Sequence, residues 1–282
     1  MNYSIKNDFL QLTVSDFGAE MQSIKSVATQ REYLWQGDAT VWGGRSPLLF
    51  PIVGRLVDDK LKTENGEFVM SKHGFARKST FTVISQSENS LVFLLTDNEE
   101  TAAIYPYKFE LTVSYTLFEN IVIVSFSVKN TDRKKIYFSI GAHPGFNCNM
   151  DDVLEFEKKE TTETFLMNSD GYLFKKEMLL DDTNQMIITP DTFKKDALML
   201  EGLKSKSVTL KTEDSHIKVS FFGAPYLGIW AKPGARFVCI EPWFGINDWQ
   251  HADYLFENKP GVVGLKVDET FDFSYSIEIK NK

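Results

Sequence analysis

The 282-residue sequence predicts an all-β protein, built as a single large antiparallel β-sandwich domain over residues 1–282. Three observations carry that expectation. Apolar and polar residues alternate with a period of two through most of the apolar segments, and helical periodicity is weak. No Gly/Ser-rich, Pro-rich or single-charge block marks a linker, and no repeat or low-complexity segment is present. Hydrophobic residues at 43% and 23 phenylalanines supply the large apolar groups that one sizeable core needs.

Taken in order, "FLQLTV" (9–14), "FTVIS" (81–85) and "LVFLL" (91–95) read as short strands. "ETAAIY" (100–105) offers a turn or two of helix. The clearest strand is "YKFELTVSYTL" (107–117), where Phe109, Leu111, Val113, Tyr115 and Leu117 alternate with polar residues. The pattern resumes after residue 120 as "IVIVSFSVKN", with Val122, Val124, Phe126 and Val128 on one face, which predicts a hairpin. "HIKVSFF" (216–222) and "RFVCIEPW" (236–243) are further strands, "HADYLFEN" (251–258) a second short helical turn. "FDFSYSIEIK" (271–280) closes the series with Phe271, Phe273, Tyr275, Ile277 and Ile279 on one face.

Composition excludes several function classes. A formal net charge of −8 argues against binding to a nucleic-acid backbone, which depends on clustered Lys and Arg. No apolar run is long enough to span a bilayer, and "MNYSIKNDFLQLTVS" alternates where a signal peptide would have an apolar core. Two cysteines, Cys148 and Cys239, form neither a C-x-x-C motif nor a disulfide framework, so a reducing cytoplasm is expected. Sequence motifs for a metalloprotease helix, a nucleophile elbow and a phosphate-binding glycine loop are missing.

Four stretches depart from strand-and-turn logic: "RSPLLFPIVGR" (45–55), "KHGFAR" (72–77), "GAHPGF" (141–146) and "CIEPWFGIND" (239–248). Each sets an ionisable side chain beside Gly or Pro, where the backbone is constrained. His73 and His143 share that context, whereas His216 reads as a strand-entry residue and His251 is left open. Alternation in "RFVCIEPW" puts Phe237, Cys239 and Glu241 on one face, so Glu241 is expected to be a partly buried carboxylate. It is either an ion-pair partner for an arginine or a general base with a raised pKa. Pro242 and Trp243 add a rigid corner and a flat apolar surface of the kind sugar rings stack on. Arg45, Arg55 and Arg77 are rim charges or forked donors to hydroxyls or an anion. Asp196, in "FKKDALML", caps a turn or accepts hydrogen bonds from a ligand. Two histidines and a glutamate can ligate a metal, but "HGF" and "HPGF" lack the close ligand pairing of common sites, and no metal or cofactor is expected.

Together these stretches resemble the aldose 1-epimerase (galactose mutarotase-like) family, and within it the LacX-type branch. The carrying motifs are "LLFPIVGR", "KHGFAR", "GAHPGFNC", "DALML" and "CIEPWFGIND", in the family's order across residues 45–250. The resemblance implies a single supersandwich domain and cofactor-independent interconversion of the anomers of a hexose. It implies that His143 is the general acid, Glu241 the general base and His73 a second histidine at the ring oxygen. Arg55 matches the pocket arginine, and Asp196 the aspartate that holds sugar hydroxyls. "HGFAR" resembles the branch acting on hexose 6-phosphates, in which Arg77 helps to bind phosphate, with Lys72 and Arg55 adding to the positive pocket. The expected partner is a small-molecule hexose or hexose phosphate, and the expected state a monomer or homodimer. Two alternatives remain open: a non-catalytic carbohydrate-binding or sensor protein on this scaffold, and a lyase or hydrolase. An inverting glycosidase would need two carboxylates across a cleft, and only Glu241 stands out.

Overall fold

A computed structural model describes residues 1–282. A three-stranded meander comes first: β1 (Asn2–Lys6), β2 (Leu10–Ser15) and β3 (Met21–Ser26). β4 (Leu48–Leu49), β5 (Lys60–Thr63), β6 (Gly66–Val69), β7 (Thr82–Gln86) and β8 (Ser90–Thr96) follow, then the one-turn helix α1 (Glu99–Ala102). The middle of the chain holds β9 (Phe109–Phe118), β10 (Ile121–Asn130), β11 (Ile136–Phe138), β12 (Ile140–Ala142), β13 (Gly145–Asn147), β14 (Val153–Met167) and β15 (Leu173–Ile187). The last elements are β16 (Leu198–Glu201), β17 (Ser207–Lys211), β18 (Ser215–Ser220), β19 (Tyr226–Trp230), β20 (Phe237–Phe244), β21 (Val263–Leu265) and β22 (Thr270–Asn281).

One sheet dominates, with strand order β4-β12-β20-β19-β16-β14-β17-β18-β22-β10-β9-β8-β7 and with β13 and β15 attached beside β20 and β14. Every ladder in it is antiparallel. β9 and β10 pair from Ile121↔Phe118 to Asn130↔Phe109, so the turn is the two residues Glu119-Asn120. Period-two alternation is what this geometry rewards. The predicted apolar faces of β9, β10 and β22 are buried at nearly every position, and their alternates are half-exposed.

The sheet doubles over on itself to make the sandwich. Phe244 of β20 packs on Phe273 of β22 with ring centroids 4.9 Å apart, although five strands stand between them along the sheet. Phe50, just after β4 at one end, meets Phe109 of β9 near the other end at 5.0 Å. A single cluster of 64 buried apolar residues fills the space between the layers.

The two short helical turns expected from the sequence are both present. "ETAAIY" yields only α1, held by reciprocal hydrogen bonds between Asn98 and Thr101, and "HADYLFEN" gives one 3-10 turn at Phe256–Asn258. The long β14–β15 ribbon was not foreseen. Its strands carry charged and polar residues on both faces and shift register repeatedly, so neither shows the alternation that marks a half-buried strand.

Phe50 is fully buried, and its ring contacts those of Phe75, Tyr105, Phe109 and Phe138 across the fold. Phe50→Ala is expected to destabilise the protein by about 3–5 kcal/mol. The measurement is urea unfolding, with the midpoint shifted and the slope unchanged.

Candidate active site

The site is written into the register of β20. Phe237, Cys239, Glu241 and Trp243 share one face of that strand. β13 pairs with it as Asn147↔Phe237 and Gly145↔Cys239, and β12 as Gly141↔Trp243, all in one register. Ala142, His143 and Pro144 continue that register through the break between β12 and β13. His143 therefore stands directly across from Glu241, and the Ile240 N–H donates to the Pro144 carbonyl at 3.2 Å beside them. Cross-strand neighbours on one face meet side chain to side chain. Here Nε2 of His143 lies 3.3 Å from Oε2 of Glu241.

On the other flank of β20, β19 sets Gly228 opposite Glu241, and β16 sets Met199 opposite Gly228. The missing side chain at 228 leaves room beside the carboxylate for the Trp243 indole. A Cβ there would come within 2.5 Å of the indole ring. Trp243 is consequently packed flat and only 3% exposed. It borders the cavity as a wall against the strand rather than as the open platform expected. The aromatic surface around His143 comes instead from Trp42 and Trp230, with ring centroids 5.1 and 5.7 Å from the imidazole. Neither tryptophan was singled out from sequence. Their one local signal is a tryptophan within two residues of glycine, in "VWGG" and "GIW".

His73 arrives from the turn 72–77, which is stapled to residues 50–54 by main-chain bonds. The Phe75 and Ala76 N–H groups both donate to the Phe50 carbonyl, and the His73 N–H donates to the Gly54 carbonyl at 2.9 Å. His73 holds a left-handed backbone at φ +67°, a strained conformation for a side-chain-bearing residue. Its Nδ1 accepts from the Gly54 N–H at 3.2 Å, which assigns the proton to Nε2. The His73 ring stands perpendicular to that of His143 with centroids 5.9 Å apart.

A cavity of about 270 Å³ joins these groups. Of the residues expected at the site, His73, Arg77, His143, Asp196, Glu241 and Trp243 all border it, as does Lys72. Asp196 sits on an exposed turn with φ +75°, its Oδ1 accepting from the Ala197 N–H at 2.8 Å. Arg77 is half-buried, donates to the Lys72 carbonyl at 2.9 Å and leaves its Nε without a partner.

Arg55 is the residue the structure moves out of the site. It does not border the cavity, and its guanidinium donates to Asp59 at 2.9 and 3.1 Å and to the Asp170 carbonyl at 3.0 Å. It holds a rim loop instead. Asn247, from the same interlocked rim, does reach the cavity, with its Nδ2 donating to the Gly171 carbonyl at 2.8 Å. Arg45 likewise faces away, bonded to Gln22, and His251 is exposed outside the cavity.

Burial sets the protonation of the centre. It pushes the Glu241 carboxyl well above its ordinary value, while Lys72 and the Trp243 indole N–H pull it back and Asp196 pushes it further up. The indole N–H leans toward the carboxylate without reaching hydrogen-bonding geometry. Burial also drives the His143 imidazole down to about 3, a fall that Lys72 and Arg77 reinforce and its own backbone carbonyl opposes. His73 falls well below the ordinary range, by burial first and then by Lys72, His143 and Arg77. These opposite shifts favour the arrangement in which the carboxyl keeps its proton and the imidazole is neutral. Three buried polar atoms of this centre have no hydrogen-bond partner: Nδ1 of His143, Oε2 of Glu241 and Nε1 of Trp243. All three residues border the cavity, where unpaired polar atoms are available to a ligand.

The family model described as aldose 1-epimerase matches residues 1–261. The chromosomal protein LacX of Lactococcus lactis subsp. lactis is 34% identical, with both chains covered in full. Among solved structures, the galactose mutarotase related enzyme from Lactobacillus acidophilus is 36% identical with a TM-score of 0.95, covering 99% of this chain and 97% of that one. A galactose mutarotase-like protein from Lactobacillus casei ATCC 334 is 27% identical with a TM-score of 0.95, covering 99% and 100%. No helix is long and apolar enough to cross a membrane.

The buried carboxyl has a consequence for stability. Its folded pKa is raised, so the folded state holds a proton that the unfolded chain releases above about 4.3, and stability falls as pH rises past that point. Glu241→Gln removes this loss. Thermal melts from pH 5 to pH 8 are expected to show the variant melting higher than the parent, with the gap widening as pH rises.

Proposed function

We propose that this chain, which belongs to the aldose 1-epimerase family, interconverts the α and β anomers of a hexose by general acid–base opening and closing of the sugar ring. The observation that carries the reading is the contact at 3.3 Å between His143 and Glu241. The two oxygens that exchange protons in this reaction, the ring oxygen and the anomeric hydroxyl, are both bonded to C1. An acid and a base that serve them must therefore be close neighbours, as cross-strand neighbours are.

Proton accounting supports the same assignment. Ring opening takes the anomeric hydroxyl proton to Glu241 and delivers a proton from His143 to the ring oxygen. The pair passes from imidazolium–carboxylate to imidazole–carboxylic acid, and its proton count does not change. Rotation about the C1–C2 bond presents the other face of the aldehyde, and closure runs the transfers backwards. Burial favours the neutral arrangement, while Lys72 and the Trp243 N–H draw Glu241 toward the ionised one. Both forms the cycle needs are thereby kept within reach. His73, with its proton on Nε2, acts as a hydrogen-bond donor to the ring-oxygen side of the sugar. Asp196 and Asn247 are placed to engage hydroxyls, and Trp42 and Trp230 to pack on the ring. Proton transfer alone completes the reaction, without a redox or group-transfer cofactor.

A second reading concerns the sugar. Arg77 and Lys72 bring two cations to the border of the same cavity in a chain of net charge −8, which favours a hexose 6-phosphate over the free hexose. A carbohydrate-binding role without catalysis would have no use for an acid and a base in contact.

Polarimetry on freshly dissolved α-glucose and α-galactose is expected to show faster anomerisation, reduced about 10²- to 10⁴-fold in His143→Asn and in Glu241→Gln. Because the imidazole is driven down to about 3, kcat/KM should hold steady as pH falls through the ordinary histidine range instead of halving there. Sugar binding without rate enhancement would make the protein a carbohydrate sensor. For the second reading, kcat/KM is expected to be higher for glucose 6-phosphate or galactose 6-phosphate than for the free sugars. Arg77→Ala should abolish that preference chiefly through KM. Equal rates on both, unchanged by the variant, would retire the phosphorylated substrate.

A further inference from the structure

The register that pairs His143 with Glu241 also places a third metal-ligating group beside them, one for which the proposed chemistry has no use. Cys239 lies two residues before Glu241 on the same face of β20, across from Gly145 and beside Trp230 on β19. It is fully buried and does not border the cavity, and its thiol has no part in proton transfer to a sugar. A ring nitrogen of His143, Sγ of Cys239 and a carboxylate oxygen of Glu241 all lie within 4.8 Å of one another.

We propose that His143, Cys239 and Glu241 form an inhibitory site for a borderline-soft divalent cation, Zn²⁺ being the best fit. Zinc takes imidazole nitrogen, thiolate and carboxylate oxygen in tetrahedral geometry, with bonds of about 2.0–2.3 Å. Two ligands at about 2.1 Å and a tetrahedral angle stand about 3.4 Å apart. The nitrogen–oxygen separation of 3.3 Å already has that spacing. The sulfur, within 4.8 Å of the other two ligand atoms, has to come closer for all three to bind. Two independent features point to an occupant. Oε2 of Glu241 is buried and makes no hydrogen bond of full geometry, although Nε2 of His143 stands 3.3 Å away. His143 and Glu241 both border the cavity, so a cation held between them is reached from it by a water or a sugar oxygen.

Binding consumes the groups that the anomerase reading employs, so the cation acts as an inhibitor. Glu241 ionises, Cys239 loses its thiol proton, and the imidazole gives up its lone pair to the metal. Deprotonation of the ligands releases protons to solvent, which makes the site tighter as pH rises. Lys72 and Arg77 oppose the incoming dication. A hard cation without affinity for sulfur gains nothing from Cys239, so Mg²⁺ is excluded where Zn²⁺ binds. The loss of activity rests on the anomerase reading, but the binding does not, and the two are tested separately.

The experiment titrates the purified, reduced protein with Co²⁺ as a spectroscopic substitute and with Zn²⁺ against a chelating dye. One equivalent is expected to bind with a thiolate-to-cobalt charge-transfer band that Zn²⁺ displaces. The band should survive in Cys148→Ser and vanish in Cys239→Ser. In the polarimetric assay Zn²⁺ should inhibit reversibly, with EDTA restoring the rate. Cys239→Ser should keep its activity and need at least about tenfold more Zn²⁺ for inhibition. Absence of the charge-transfer band in the parent protein would overturn the site, whatever the variants do. So would a band that Cys148→Ser abolishes, or zinc binding that Cys239→Ser leaves unchanged. A protein that binds one Zn²⁺ with the sulfur signature yet never anomerises a sugar would keep the metal site and lose the catalytic reading.

Discussion

An imidazole and a carboxyl facing each other from adjacent strands, both largely withdrawn from solvent, is the constraint on which the rest of the structure depends. Burying a carboxyl without a full set of hydrogen bonds is unfavourable, and Glu241 at 1% exposure has one oxygen with none. The surrounding fold has to hold the pair in place from every side. β20 is paired along both edges, by β12 and β13 on one side and by β19 on the other. The His143 segment is anchored again from the strap before β4: the His143 N–H donates to the Pro47 carbonyl and the Gly145 N–H to the Arg45 carbonyl. That strap is in turn fixed by Glu20, whose Oε1 accepts from the Arg45 and Ser46 N–H groups at 2.9 Å. A carboxylate on the small N-terminal meander thus positions the histidine without touching the cavity.

The rim obeys the same logic with different chemistry. Asp248 accepts from the Val57 N–H, from the Tyr254 hydroxyl and from Lys259, and its own N–H donates to the Arg55 carbonyl. Lys259 is almost wholly buried, and its charge is tolerable there because Asp248 receives it. This clamp ties the segment after β20 to the loop after β4. Arg55 ties that loop to the tip of the β14–β15 ribbon, and Asn247 reaches the ribbon tip from the other side. The loops that deliver His73 and Asn247 to the cavity are therefore one interlocked unit. Arg55 and Asp248 act on the site only through it.

Much of the fold and of the centre was legible in the sequence. Strands with one buried face declare themselves by alternation, as β9, β10 and β22 did. Glu241 stood out because a carboxylate in register with Phe237 and Cys239 has to be buried. What the sequence could not show is register between distant strands. His143 and Glu241 are separated by nearly a hundred residues, and their opposition follows from pairing that no local pattern encodes. The same limit explains the misplacement of Arg55. Its motif is adjacent to the site in sequence, but a side chain that finds Asp59 one turn away and the Asp170 carbonyl has no reason to turn inward. Trp42 and Trp230 were missed because a tryptophan in a strand or loop reads as core, and only the folded sheet shows them flanking an imidazole. The β14–β15 ribbon was missed for the opposite reason, since its long middle stretch is mostly exposed and breaks the apolar rhythm of its buried ends.

The two cations at the cavity border have a further role if the sugar is phosphorylated. Lys72 and Arg77 both depress His143, which works against its service as an acid. A phosphate seated beside them would cancel much of their field at the imidazole, and the opposing charge would raise its proton affinity. Lys72 also draws Glu241 toward ionisation, and the same phosphate would weaken that pull. Both changes strengthen the hold of the pair on its one shared proton. Part of the binding energy of a group remote from C1 would then be spent on keeping the acid–base couple in its working protonation state, an interaction that a free hexose cannot supply. Substrate choice and catalytic competence would be set by the same two side chains.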